Sequence, residues 1–146
     1  MLNEDLLAVW LRLTCVIDNH RLAAAHAAEE RLPFNEAMVC GLLAQASDGS
    51  MTASELCRQT CILKSQMNAI LRSLERKGLI SRQRSRTDRR QVELRLLPEG
   101  MARFQEGHRQ SVAIVDRLIS EMGEEKIRLL LPLLRQAADI FENMEA

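Results

Sequence analysis

Between Lys64 and Arg95 stand ten basic residues, Lys64, Arg72, Arg76, Lys77, Arg82, Arg84, Arg86, Arg89, Arg90 and Arg95, against three acidic ones, Glu75, Asp88 and Glu93. The 146-residue chain is neutral as a whole, so the +7 of this segment is balanced by −7 elsewhere. A cationic face of that density suits a phosphate backbone. Ser65, Gln66 and Asn68 stand among the first of these charges. Gln and Asn can pair bidentately with adenine, Arg and Lys with guanine, so Gln66 and Asn68 are the favoured base readers. Lys64, Ser65 and Arg72 serve equally as phosphate contacts, which position a protein without specifying sequence. A charge run is more often only a solvated face, but these charges surround a candidate recognition helix, and that favours duplex DNA.

Other reactive side chains are sparser. Cys15, Cys40, Cys57 and Cys61 fall within helical patterns and frame no short loops, so free thiols are expected. Cys15 is read as a buried, inert thiol and Cys57 as a packing residue. Cys57 and Cys61 have a spacing able to bind metal on one helix, but the helix is expected to end between them. His20, His26, Glu29, Glu30, Glu36, Cys40 and His108 are the right types for zinc. His20 and His26 nevertheless point to different helix faces, and His108 has no His one turn on, so no metal site is expected. No Ser-His-Asp set, phosphate-cradling loop or metal-protease helix occurs, and the six glycines are scattered. An enzyme is not expected, nor a cofactor.

The elements that must position these residues follow from periodicity. Leu6, Trp10, Leu13 and Ile17 recur at helical spacing, predicting a first helix over about residues 3–30, ended by Pro33. A second is expected from an Asn35 N-cap to Ala46, stopped by the turn Ser47 to Ser50. Thr52 and Glu55 form a capping-box pattern opening a short third helix to about Gln59. A fourth runs from Lys64 to Lys77 with Gly78 as its left-handed cap, and Met67, Ile70, Leu71 and Leu74 form its apolar side. Residues 79–84 and 91–96 then alternate apolar and polar as strands do, with a polar tip over Ser85 to Arg90. Pro98 opens a helix reaching Gly123, and a last amphipathic helix contains Pro132, where a kink is expected.

The expected fold is mainly α (α+β), in the order ααααββαα, a winged helix-turn-helix with long terminal helices. Its DNA-binding domain is placed at 35–98. The helical dimerisation region, 1–34 and 99–146, carries apolar stripes too wide for one small core, which predicts a second copy of the chain. With 47% hydrophobic and 27% charged residues the composition is ordinarily globular. No apolar run is long enough to span a bilayer and the first residues are acidic, so a cytoplasmic protein without membrane contact is expected.

Glu55-Leu56-Cys57, the stretch Leu71 to Ile80 with its Leu74-Glu75 and Gly78-Leu79-Ile80, and Asp88-Arg89-Arg90 followed by Leu94-Arg95-Leu96 and Gly100 together resemble the MarR family. The resemblance spans about residues 52–100. It implies a two-fold dimer with interlocked terminal helices, reading a pseudo-palindromic operator, in most cases as a repressor. It makes Arg90 a minor-groove arginine and Asp88 the carboxylate that orients the wing, with Arg84, Arg86 and Arg89 around the tip. It also implies a pocket for phenolic or other lipophilic anions, for which Trp10, Val16, Phe34 and Met38 are the candidate lining. Two departures are visible: Leu97-Pro98 stands where the family commonly caps a helix with Thr, and Cys61-Ile62-Leu63 lacks a small polar residue before the recognition helix. A peroxide-sensing reading of Cys15 is disfavoured because that branch surrounds its thiol with tyrosines and this chain has none. The competing readings are a winged-helix protein-interaction module that does not bind DNA, and a thiol-redox or zinc-sensing regulator of the same fold.

Overall fold

The computed structural model describes residues 1–27 and 31–144, with side chains over 1–19 and 31–144. Its contacts divide the chain into two units, Met1–Pro33 and Phe34–Ala146. The first unit contains helix α1, Leu2–Ala27, with Glu4 and Asp5 in its opening turn, where the helix dipole favours negative charge. Both carboxylates also lie within 4 Å of the Met1 ammonium group. Leu6, Leu7, Trp10, Leu13 and Ile17 are exposed along α1. Cys15 is exposed as well, which corrects the expectation of a buried thiol: it lies on an exposed stretch of α1, where its Sγ accepts from Asn19 Nδ2 at 3.6 Å. The C-terminal part of the expected helix, residues 28–30, and the side chains of His20, His26, Glu29 and Glu30 lie outside the described residues.

The second unit opens with α2, Phe34–Gln45. Asn35 is therefore inside the helix and is not its N-cap; Pro33, whose ring fixes φ near the helical value, lets the helix begin at the next residue. The polar turn after α2 leads through Gly49, at φ 73°, into a two-residue strand β1, Met51–Thr52. Thr52 then caps α3, Ala53–Thr60: its Oγ1 accepts from Glu55 N while Glu55 Oε2 accepts from Thr52 N at 2.7 Å. The capping box is formed as its sequence predicts. Helix α4, Lys64–Arg76, ends one residue before the expected Lys77, and Gly78 follows at φ 69°.

The wing is an antiparallel hairpin of β2, Ile80–Arg84, and β3, Val92–Leu96, with Ile80 opposite Leu96 and Arg84 opposite Val92. Strand β1 adds to its other side, Met51 opposite Leu94, giving the order β1-β3-β2. Helices α5, Pro98–Met122, and α6, Glu124–Glu142, complete the unit. Leu97 is the N-cap of α5 without a side-chain hydrogen bond; its N–H donates instead to Leu79 O at 2.8 Å. Pro132 lies inside α6, and the helix continues through it.

The core of the unit joins Val39, Cys40 and Leu43 of α2, Leu56 of α3 and Met67, Leu71 and Leu74 of α4 to Leu79, Ile80 and Leu94 at the wing base. Ile70, expected in this set, is only half-buried. Burying each such side chain contributes about 1.5–3 kcal/mol, so this cluster fixes how α4 is presented. The later part of α5 and all of α6 are different: Val112, Val115, Leu118, Leu129, Leu133, Ile140 and Phe141 are exposed. Among the described residues no helix is long and apolar enough to cross a membrane.

Candidate nucleic-acid interface

Helices α3 and α4 meet through a turn at Thr60 to Leu63. Thr60 Oγ1 donates to Leu56 O at 2.7 Å and accepts from Ile62 N at 3.3 Å, closing the end of α3. Cys61 takes the left-handed conformation, φ 56°, so the helix does end between Cys57 and Cys61. Leu63 is extended and offers no side-chain cap to α4. The first N–H groups of α4 are thus left for another acceptor, the usual condition for anion binding at a helix start.

The periodicity of α4 decides which side chains face outward. Met67, Leu71 and Leu74 are fully buried, whereas Lys64, Ser65, Gln66, Ala69, Arg72 and Arg76 are exposed and Asn68 is half-buried. Arg72 Nε bonds Asn68 O, at 3.3 Å, within its own helix. The candidates Lys64, Ser65, Gln66, Asn68 and Arg72 therefore share one helix, with Asn68 at the flank of the exposed surface. Ala69 and Arg76 belong to the same surface and escape a search restricted to polar residues at the start of the helix.

The wing tip is built around Ser85, which is buried although its neighbours are exposed. Its Oγ accepts from Thr87 N at 3.3 Å and Asp88 N at 3.4 Å, and its N–H donates to Gln91 O at 3.0 Å. Asp88 Oδ1 accepts from Arg90 N at 3.0 Å, and Asp88 O from Gln91 N at 2.9 Å. Asp88 thus shapes the tip through the backbone of the residues that follow it. Arg84, Arg86, Arg89 and Arg90 project from this frame, all exposed. Ser85 is a positioning residue missing from the candidates; its signal is a Ser two residues before Thr and three before Asp, a pattern that favours local turns.

The ten cations are not equivalent. Arg82 Nε bonds Glu75 Oε2 at 2.7 Å. Arg95 lies 3.4 Å from Glu93 Oε2 and from Asp48 O. Lys77 Nζ reaches Glu36 Oε2 at 2.5 Å, while Ser73 Oγ donates to Glu36 Oε1 at 2.7 Å. Glu36 is buried at 6% exposure and so ties α2 to the C-terminal end of α4. Lys64, Arg72, Arg76, Arg84, Arg86, Arg89 and Arg90 are engaged by no acid among the described residues and remain available to phosphate.

Cys40, one turn from Glu36, has its thiol pushed up to about 11, first by burial and then by the Glu36 charge, against a smaller lowering by Lys77. It is a neutral core residue. Cys57 is half-buried and Cys61 exposed beside the start of α4. Of the lipophilic-pocket candidates, Phe34 is exposed and Met38 half-buried on α2, while Trp10 and Val16 are exposed on α1 in the other unit. The second unit also has a cleft of about 560 Å³ between the α2–β1 turn, α3 and the wing tip, with Gln45, Asp48, Ser50, Glu55 and Thr87 in its wall. Its polar lining suits water better than a lipophilic anion.

Comparison with known proteins agrees with this geometry. A family model described as MarR family matches residues 32–91. The HTH-type transcriptional regulator FarR of Neisseria gonorrhoeae is 34% identical over 101 residues, 69% of this chain and 69% of that protein. FabT of Streptococcus pneumoniae, solved in complex with DNA, superposes with a TM-score of 0.78 at 24% identity, covering 94% of this chain and 97% of its own. NadR in complex with 4-hydroxyphenylacetate superposes with a TM-score of 0.63 at 25% identity, covering 91% and 94%.

Proposed function

This chain belongs to the MarR family of helix-turn-helix transcriptional regulators, and we propose from that premise that it is a homodimeric repressor of a pseudo-palindromic operator, released by a small aromatic or lipophilic acid. The observation that carries the reading is the set of seven cations on α4 and the wing that no acid among the described residues engages. In this reading α4 enters the major groove, with Gln66 and Asn68 at base edges and Lys64, Ser65 and Arg72 on bases or phosphates. Asp88 holds the wing so that Arg84, Arg86, Arg89 and Arg90 follow the backbone, with Arg90 in the minor groove.

Residues 35–98 form the DNA-binding lobe, and 1–34 with 99–146 supply the dimer contacts. Exposed Val112, Val115 and Leu118 of α5 and Leu129, Leu133 and Ile140 of α6 support that division, because an apolar surface of this extent is covered in stable proteins. A second copy is the occupant that also duplicates the DNA-binding lobe. The ligand class follows from the NadR complex with 4-hydroxyphenylacetate. Trp10, Val16, Phe34 and Met38 are its candidate contacts.

The test is selection of bound duplexes from random DNA by the purified chain, followed by titration of the winning sequence. Two half-sites centred about 34 Å apart are expected. So is a log-log salt slope near 0.9 per phosphate pair. Addition of 4-hydroxyphenylacetate should weaken the complex. A monomer in solution, or equal affinity for selected and scrambled duplexes, overturns the reading and leaves the protein-interaction alternative.

A further inference from the structure

The outermost line of the recognition helix has an apolar residue at its centre. At about 100° per residue, Ser65, Ala69, Arg72 and Arg76 fall opposite the buried Met67, Leu71 and Leu74. Gln66 and Asn68 stand to either side of that line. A shallow depression of about 540 Å³ lies over it, lined by Ala69, Arg72, Glu75 and Arg76. Arg82 holds the Glu75 carboxylate, and Arg76 meets no acid among the described residues. The depression therefore has a methyl group at its floor and two cationic forks at its edge.

The chemistry of the major groove offers one group that matches such a floor. Every base pair presents hydrogen-bonding atoms there, but only thymine adds a methyl group, and an alanine side chain recognises it by apolar contact. An arginine or another long polar side chain at this position would occupy that seat. Arg72 and Arg76, one and two turns further along the same line, stand where a helix lying in the groove would present them to flanking phosphates. We propose that Ala69 is a specificity-determining residue that reads the 5-methyl group of one thymine in each operator half-site. The proposal rests on the DNA-reading function above and adds to it the identity of a base.

The experiment replaces each thymine of the selected duplex, one at a time, by deoxyuridine, which deletes the methyl and keeps every hydrogen-bonding group. For the unaltered protein one position per half-site should lose about fourfold in affinity, the worth of one buried methyl. In Ala69→Gly that position should become indifferent to the substitution while any other sensitive thymine keeps its response. Ala69→Ser, which retains the helix better, should lose most of the same preference and serves where the glycine variant unfolds. Specific binding with no methyl-sensitive thymine, or a sensitivity that persists in both variants, overturns the assignment and leaves the DNA-reading function standing. Failure to select any duplex sequence overturns both.

Discussion

Arg82 Nε bonds Glu75 Oε2 at 2.7 Å, and this contact fastens the first strand of the wing to the flank of the recognition helix. Both side chains are about one-third exposed, 34% and 35%, so water screens the pair and its worth to stability is small, within about 1 kcal/mol. Its larger consequence is geometric, since the arginines that follow on β2 and the tip inherit the direction of that strand. Glu75→Gln removes an acid next to the cationic face, which should raise affinity for random duplex. The same change loosens the wing and should lower affinity for the operator. The ratio of the two affinities, measured in one buffer, is expected to fall severalfold with little change in thermal midpoint; an unchanged ratio would show that the wing needs no such fastening.

Arg90 and Arg95 provide a matched comparison. Arg90 projects from the tip with no acid among the described residues on its guanidinium, whereas Arg95 is occupied by Glu93 and Asp48 O. Arg90→Ala should weaken operator binding strongly and reduce the log-log salt slope by about 0.9, the share of one phosphate pair. Arg95→Ala should leave that slope nearly unchanged. Equal effects of the two would mean that the internal pairs open on binding.

The distinction between those arginines is the kind of information that a linear sequence withholds. Local chemistry was legible: Thr52 and Glu55 cap α3, Gly78 closes α4, and the alternation after Leu79 gives both wing strands. Strand β1 was not, because two residues cannot show a period and Met51 and Thr52 pair with a strand some forty positions on. Lys77 and Arg82 entered the charge count at full weight because Glu36 is remote in sequence from Lys77 and Glu75 lies on a different element from Arg82. Asn35 looked like a cap only while Pro33 was taken as a stop. Cys15 was expected in a core because of its residue type, yet it is exposed on α1. At the interface, polar residue types pointed to Gln66 and Asn68, while the full turn of the helix was needed to find Ala69 and Arg76.

Thiol chemistry separates the cysteines. Cys40 is buried and its thiol, raised from 9.0 to about 11, stays neutral at physiological pH, so a thiol reagent should modify exposed Cys61 and leave Cys40 until the protein unfolds. The pH consequence has a definite sign. Between pH 9 and about 11 the unfolded chain loses the Cys40 proton while the folded chain keeps it, so stability should fall as pH rises through that window. Below pH 9 both states hold the proton and the contribution is constant. Comparing denaturant midpoints of the protein and Cys40→Ala at pH 8 and pH 10.5 checks this: the variant should show the smaller decline.

Two glycines of α5 should respond oppositely to the same substitution. A Cβ at Gly100 would collide with Leu79 O and come within 2.6 Å of Leu96 Cδ1, where the start of α5 crosses the wing base. One of those atoms is backbone and cannot rotate away. Gly100→Ala should therefore cost about 1–3 kcal/mol, as overpacking typically does, and should displace the wing together with its arginines. At Gly107, also inside α5, a Cβ meets nothing within 4 Å among the described residues. Alanine there restricts the unfolded chain and suits the helix, so Gly107→Ala should stabilise by about 0.5–1 kcal/mol. Thermal or denaturant midpoints of the two variants, compared at equal protein concentration, give the test. A loss at Gly107 accompanied by a shift from dimer to monomer would place that position against the second copy of the chain, where the glycine would be required for close approach between helices.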